Sequence, residues 1–379
     1  MLLEYGVKNF FSFKEGAVVD LRFDGNTPED ISGSLPAATI AGFSGANAAG
    51  KTHLLKALNF LRWFAAESFD WKPDAAMPIE SYGGSAEASE FFLEFSIGSV
   101  TYVYEIEVTE REVVRETLYR TRTKRTLVFE RVGNQIARTT KEFSSLNSLK
   151  LRSNVSTISM ANQYQLEILK DVHQFFVNVY TNVSYGGLHA PVFDMNEMSR
   201  LLSESPNAHR FVEEFIKSCD TGVSRIDLLK REGEKGEAVY FPAFIHEIEG
   251  REYHVSSFEE SSGTKQLFLT LAHYFSTLTT GGILVVDEID QHLHPHILPK
   301  LVSLFTDPAL NKKNAQLLFT SHDTRIMDTL GRYRTFIVNK RENESFVFRL
   351  DEVPGDLLRN DRPISPIYED GKVGGVPRV

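Results

Sequence analysis

GANAAGKT, at residues 45–52, can be accommodated in few architectures. It fits the pattern G-x-x-x-x-G-K-[S/T], and its neighbours supply the setting that pattern needs. The apolar run ATIAGFSG reads as a short strand entering a glycine turn. The segment KTHLLKALNFLRWFAAESF then places Leu54, Leu55, Leu58, Leu61 and Phe64 on a helical period. Small residues let backbone N–H groups wrap phosphate oxygens, and a helix N-terminus adds partial positive charge. In such a loop Asn47, Ala48, Ala49, Gly50, Lys51, Thr52 and His53 are the expected phosphate contacts. Lys51 would bridge β- and γ-phosphate oxygens, and Thr52 would offer its hydroxyl to Mg²⁺. The expected ligands are therefore ATP and Mg²⁺, on an α/β fold.

A second element completes that chemistry. GGILVVDEID has four consecutive apolar residues, Ile283–Val286, ending in Asp287 and Glu288. A short, fully apolar run suits a strand buried on both faces of a parallel sheet. A carboxylate pair at its C-terminal end lies where open α/β sheets bind ligands. Asp287 would hold Mg²⁺ and Glu288 would polarise the attacking water. Asp287 lies 236 positions beyond Lys51, so whole subdomains are inserted between the two elements, as in the ATP-binding-cassette division. A third apolar run, Gln316–Phe319, ends in Thr320, Ser321, His322 and Asp323. His322 falls 35 positions after Asp287, where it could sense a γ-phosphate; a surface histidine in a strand-to-helix turn is the plainer alternative.

Bulk properties exclude several other classes. The chain has 379 residues and a formal net charge of −10, so a whole-surface basic footprint for nucleic acid is absent. Cys219 is the one cysteine, which rules out an internal disulfide and fits a reducing compartment. Glu4 and Lys8 interrupt the N-terminal apolar run, so no signal peptide is read there, and no run is long enough to span a bilayer. A cytoplasmic protein is expected, with no membrane partner.

Alternation predicts two strands in residues 1–23, a hairpin in FFLEFSI and VTYVYEIEV, and more strands over 111–141. Residues 70–90 read as a loop and 160–220 as helical, with a return to strand and turn after 222. Towards the end the pattern predicts a helix over 263–280, a strand over 282–289 and a helix over 292–306. A strand over 315–320, a short helix over 323–330 and one or two strands over 334–349 follow, and the end, YEDGKVGGVPRV (368–379), reads as an irregular tail. Residues 111–141 carry nine Lys or Arg against three Glu, a local basic excess on an acidic chain. That excess suits the solvated face of a hairpin first, and a partner or nucleic-acid contact second.

Taken in order, GANAAGKT, ESSGT (260–264), DEID (287–290) and TSHD (320–323) resemble the cassette-type ATPases of the OLD-like and abortive-infection group, relatives of RecF and SMC heads. GVKNFFSF resembles that group's first strand, DEIDQHLHP its extended second motif, and YEDGKVGGVP the C-terminal pattern of bacterial defence ATPases that work with a separate effector. The resemblance implies a mixed sheet flanked by helices, of the SMC/RecF-head type, with an inserted helical/β subdomain. It divides the chain into an N-terminal lobe (1–90), an inserted subdomain (91–230) and a C-terminal lobe (231–379). It also implies ATP hydrolysis with Glu288, His322 and Lys51 as catalytic groups. ESSGT stands where transporters carry LSGGQ, and Thr264 and Lys265 depart from that pattern, which argues against a transporter subunit. Ser262 and Gly263 of one subunit would then cap the γ-phosphate held by Lys51 of another, making a nucleotide-dependent dimer or higher oligomer. Asn9 is a nucleotide contact by resemblance or an ordinary strand residue with equal weight, and Glu90–Glu94 is a candidate for the Q-loop. ESSGT itself also reads as a helix start, with Ser261 or Ser262 as N-cap.

Two functions follow from the resemblance. One is a sensor or regulatory ATPase of anti-phage defence that controls a separate nuclease or toxin. Nuclease members of the group carry a TOPRIM domain after the switch histidine, whereas 57 residues follow His322. The other is a RecF/SMC-like repair ATPase that binds DNA in an ATP-dependent way.

Overall fold

Side chains alternate across a strand, so a strand that is apolar at every position must feed two cores. The strand Ile283–Val286 does this: Ile283 and Val285 enter one buried cluster, and Leu284 enters another. Its neighbour Gln316–Thr320 divides likewise, with Leu318 on one side and Leu317 and Phe319 on the other. In the computed structural model, which describes all residues except 189–193, 234–235, 355–356, 359–361 and 377–379, these strands lie in a six-stranded sheet. The order is Glu344–Arg349, Thr335–Arg341, Ile40–Ser44, Gln316–Thr320, Ile283–Val286 and Val179–Thr181. All its pairings are parallel except that of the terminal hairpin 335–349.

One core lies between this sheet, the helix Lys51–Glu67 and a seven-stranded antiparallel sheet. That second sheet comprises Ala17–Asp20, Leu2–Lys8, Ser89–Ile97, Val100–Val108, Val113–Thr121, Arg125–Val132 and Gln135–Thr139. The other core packs the opposite face against the helices Pro206–Ser218, Ser262–Thr280 and Leu298–Thr306. A three-stranded sheet, Val223–Glu232, Ala238–Ile248 and Arg251–Ser256, leads into the helix at Ser262. The architecture is that of a mixed α/β P-loop protein.

Several expectations shift. Residues 160–220 are not wholly helical: Val179–Thr181 is the edge strand of the central sheet, paired in parallel with Ile283–Val285. The signal lay in the alternation of Val177, Val179, Thr181 and Val183 at the end of a helical run. The predicted strand over 282–289 stops at Val286, because Glu288 takes φ 52° and turns the chain. The predicted helix over 292–306 begins at Leu298, after a 3₁₀ turn at Pro295–Ile297. His292 sits at φ 64°, and Pro295 and Pro299 lack N–H groups. A short helix, Ser365–Glu369, precedes and just enters the expected irregular tail at 368–379, and Tyr368 and the following Val373 enter a small core with Ile337 and Met327. Asp328 starts that helix by accepting from the N–H groups of Ile364 and Ser365 and from the Ser365 hydroxyl. Pro377, the last residue of the YEDGKVGGVP pattern, lies outside the described residues.

Candidate functional site

The loop 45–50 and the helix Lys51–Glu67 sit at the C-terminal edge of the central sheet. The turn must be glycine at two points. A Cβ on Gly45 would come within 2.1 Å of the Val338 carbonyl oxygen. Gly50 sits at φ 110°, and a Cβ there would meet the hydroxyls of Ser345 and Ser12 at 2.7 and 2.9 Å. The terminal hairpin and the first turn thus press on the loop from behind. Asn47 and Ala48 stand exposed at its tip, with Ala48 at φ 61°, while Ala49 and Gly50 are buried.

Lys51 is buried, and its Nζ donates to the carbonyl oxygens of Gly45 at 2.8 Å and Ala46 at 3.1 Å. Burial lowers its pKa, and the charges of Asp287, Glu288 and Asp290 oppose that shift. Thr52 donates its hydroxyl to Asp287 Oδ2 at 2.8 Å, joining residues 235 positions apart. Thr320 donates to Asp287 Oδ1 at 2.6 Å and accepts from the Glu288 N–H at 2.7 Å. The three predicted motifs therefore meet through Thr52, Asp287 and Thr320. His322 is exposed at the next turn, where its N–H donates to Asp290 Oδ2 at 3.1 Å.

Other expectations fall elsewhere. Ser261, not Ser262, caps the helix, accepting from the Thr264 N–H at 3.1 Å. Ser262 is exposed, and Gly263 packs so closely that a Cβ would lie 2.9 Å from the His292 carbonyl oxygen. Among the described residues no hydrogen bond joins Ser262 or Gly263 to the loop 45–52. Asn9 has its amide committed to loop backbone, donating to the carbonyl oxygens of Glu87 and Ala88 and accepting from the Tyr82 N–H. Glu90 and Glu94 belong to the antiparallel sheet, ion-paired with Lys8 and Arg22. Of the basic excess at 111–141, Arg115, Arg131 and Arg138 form ion pairs with Glu130 or Glu116 of the same region, and Arg120 and Arg125 with Glu142 and Glu105 just outside it.

Sequence reasoning missed Asn182, Ser12, Ser345 and Asp290, and it gave His53 only as a phosphate contact, not as the partner of Ser12. Asn182 grips the backbone of Asp287 on both sides, donating to its carbonyl oxygen at 3.0 Å and accepting from its N–H at 2.8 Å. Its signal was only its place after the overlooked edge strand. Ser12, His53 and Ser345 form a chain: Ser345 Oγ donates to Ser12 Oγ at 2.7 Å, and Ser12 Oγ lies 2.8 Å from His53 Nδ1. Phe11 stacks on the His53 ring at 4.7 Å between centroids. Burial, with Lys56 and Lys340 adding to it, pushes the His53 pKa down to about 4, so the ring is neutral and can accept from Ser12. No local pattern announced Asp290 as a partner of the His322 backbone.

The donor set suits a hard divalent cation. Thr52 and Asp287 present one hydroxyl and one carboxylate side by side, which fits Mg²⁺, an ion that keeps several waters and takes few protein oxygens. A cavity of about 880 Å³ adjoins the pair and includes Asp287, Glu288, Asn182 and Lys56 in its wall. Among the described residues no group of three or more His, Cys, Asp and Glu is arranged to hold a metal.

A glycine-locked loop, a buried lysine and a threonine–aspartate pair at the C-terminal ends of parallel strands define a P-loop nucleotide-binding protein of the ATPase class. The chain belongs to the family described as "AAA domain, putative AbiEii toxin, Type IV TA system", whose model matches residues 40–328. That span contains the loop 45–52, the 260–264 stretch, Asp287, Glu288 and His322. No curated relative matches the chain. Among the described residues no helix is long and apolar enough to cross a membrane.

Proposed function

We propose that the protein is an ATP-hydrolysing switch of the cassette type, related to SMC and RecF heads, that dimerises around nucleotide and regulates a separate effector in anti-phage defence. The observation that carries this reading is the Thr52–Asp287–Thr320 junction, which draws three distant motifs into one hydroxyl–carboxylate cluster beside Lys51. In this reading Lys51 and the backbone of residues 47–53 hold the phosphates. Thr52 and Asp287 hold Mg²⁺, which neutralises phosphate charge. Glu288 orients the attacking water, and His322 faces the γ-phosphate.

Dimerisation is supported by the 256–263 segment. Ser262 lies exposed at a helix N-terminus, where backbone N–H groups favour an anion. Four residues earlier Phe258 is 94% exposed on a turn braced by Glu259, which accepts from the Ser256 hydroxyl and N–H. An exposed aromatic on a braced turn beside an open helix start suits an interface with a second copy. Effector control rests on the family description, which names a toxin–antitoxin setting. The DNA-repair alternative would need free basic groups, and five of the nine at 111–141, Arg115, Arg120, Arg125, Arg131 and Arg138, are held in ion pairs with glutamates.

Two variants test this. Glu288→Gln should bind ATP but hydrolyse it about a hundredfold more slowly. In that background ATP should drive dimer formation in light scattering, and Ser262→Arg should abolish the dimer while nucleotide affinity stays within about twofold. Wild-type hydrolysis by Glu288→Gln would sink the catalytic assignment, and loss of monomer ATP binding in Ser262→Arg would sink the shared site.

A further inference from the structure

We propose that Asp290 is a positioning residue that latches the His322 loop to the Asp287–Glu288 turn, so that both move as one unit. The inference rests on the ATPase reading above and adds a residue to it. After Asp287 the chain turns sharply, with Glu288 at φ 52° and the Ile289 N–H donating to the Thr320 carbonyl oxygen at 3.0 Å. Asp290 comes next, and its carbonyl oxygen accepts from the Leu293 N–H at 3.1 Å, so its backbone is fixed. From there its Oδ2 accepts from the His322 N–H at 3.1 Å. This side-chain bond, with that from the Glu288 N–H to the Thr320 hydroxyl, ties the turn after one catalytic strand to the end of the next and the loop beyond it.

The other oxygen, Oδ1, is buried and has no donor among the described residues. A buried acceptor without a donor costs stability, and so does a buried negative charge without a paired cation. An asparagine would keep the bond to His322 and shed the charge. Asp290 therefore acts through one geometric link, the hydrogen bond that sets where the His322 loop lies. Asp323, the other acid of the loop, is occupied by Arg325 and does not make that link.

The experiment measures ATP turnover, affinity for a fluorescent ATP analogue and amide hydrogen exchange over residues 321–325, in the full chain. Asp290→Ala should lower kcat about tenfold while nucleotide affinity stays within about twofold, and exchange at 321–325 should accelerate. Asp290→Asn keeps the acceptor, so exchange protection and kcat should both return to within about twofold of the wild type. His322→Ala combined with Asp290→Ala should be no slower than His322→Ala alone, within about twofold, if Asp290 acts through His322. The inference is overturned if Asp290→Ala turns over ATP like the wild type, if the two substitutions multiply, or if binding and turnover fall together. Should the alanine variant fail to fold, Asp290→Asn with unprotected 321–325 amides overturns it equally. Glu288→Gln separates the two levels: if it is inactive while the Asp290 outcomes fail, the ATPase reading stands and this inference alone falls. If Glu288→Gln turns over ATP like the wild type, both fall.

Discussion

Two buried acids, one in a strand of the antiparallel sheet and one just past a strand of the central sheet, are held in opposite ways. Glu116, in the antiparallel sheet, is fully buried and saturated. It accepts from the Thr157 N–H and hydroxyl, from the Tyr104 hydroxyl at 2.8 Å and from Arg131 at 3.2 Å. Arg131 is buried as completely, and its remaining N–H groups go to the carbonyl oxygens of Gly133, Arg152 and Val155. Asp287, just past the end of a central strand, is 3% exposed, and among the described residues its carboxylate receives two hydroxyls, from Thr52 and Thr320. The nearby Lys51 gives its protons to carbonyl oxygens instead. A buried ion with every bond made is a closed joint between a sheet and the 157–163 helix. A buried carboxylate given only neutral donors is poised for a cation.

The two should therefore fail differently. The largest effect is expected at the closed joint. Arg131→Met leaves Glu116 as an uncompensated buried charge and should cost about 3–5 kcal/mol of stability, read as a drop in the urea midpoint. Adding Glu116→Gln should restore most of that loss, because the amide oxygen can still accept from Thr157 and Tyr104. A single variant as stable as the wild type would remove the distinction.

At the poised acid the order reverses. Asp287→Asn should leave the unfolding midpoint unchanged or slightly higher, since it relieves an unpaired buried charge. ATP turnover should fall about a hundredfold or more, and Mg²⁺ should no longer tighten nucleotide binding. If Asp287→Asn instead unfolds like Arg131→Met, Asp287 is structural and the metal assignment fails.

The same contrast explains what was legible beforehand. The antiparallel strands announced themselves by alternation, and the central strands by short apolar runs closed by Asp287 or Ser321. The loop 45–52 was visible because glycine, lysine and threonine must occur at fixed local spacing. The edge strand Val179–Thr181 was hidden because three residues cannot outweigh the helical run before them. Asn182 and Asp290 were invisible for another reason: their partners lie 105 and 32 positions away, and ordinary polar residues leave no local pattern. The pairing of Glu116 with Arg131 was hidden likewise, inside a stretch whose charge alone suggested an exposed surface.

The smallest effect sharpens the contrast at a neutral group. His53 sits between the two sheets, bonded to Ser12 and stacked on Phe11, and its pKa is pushed from 6.5 down to about 4. Burial is the main cause, with Lys56 and Lys340 adding repulsion and Asp287 opposing them. The unfolded chain takes up a proton near the ordinary value, whereas the folded chain resists until near 4. Stability is therefore lost as pH falls through that window and is unaffected above it. Discounted for partial exposure, the loss from this group between about pH 7 and pH 5 should be about 1 kcal/mol. Melting temperatures of the wild type and of His53→Gln across this range isolate it, because the other titrating groups cancel in the difference. The wild-type curve should fall more steeply towards acid. Parallel curves would mean that His53 gains its proton as easily folded as unfolded, and that the Ser345–Ser12–His53 chain does not depend on a neutral ring.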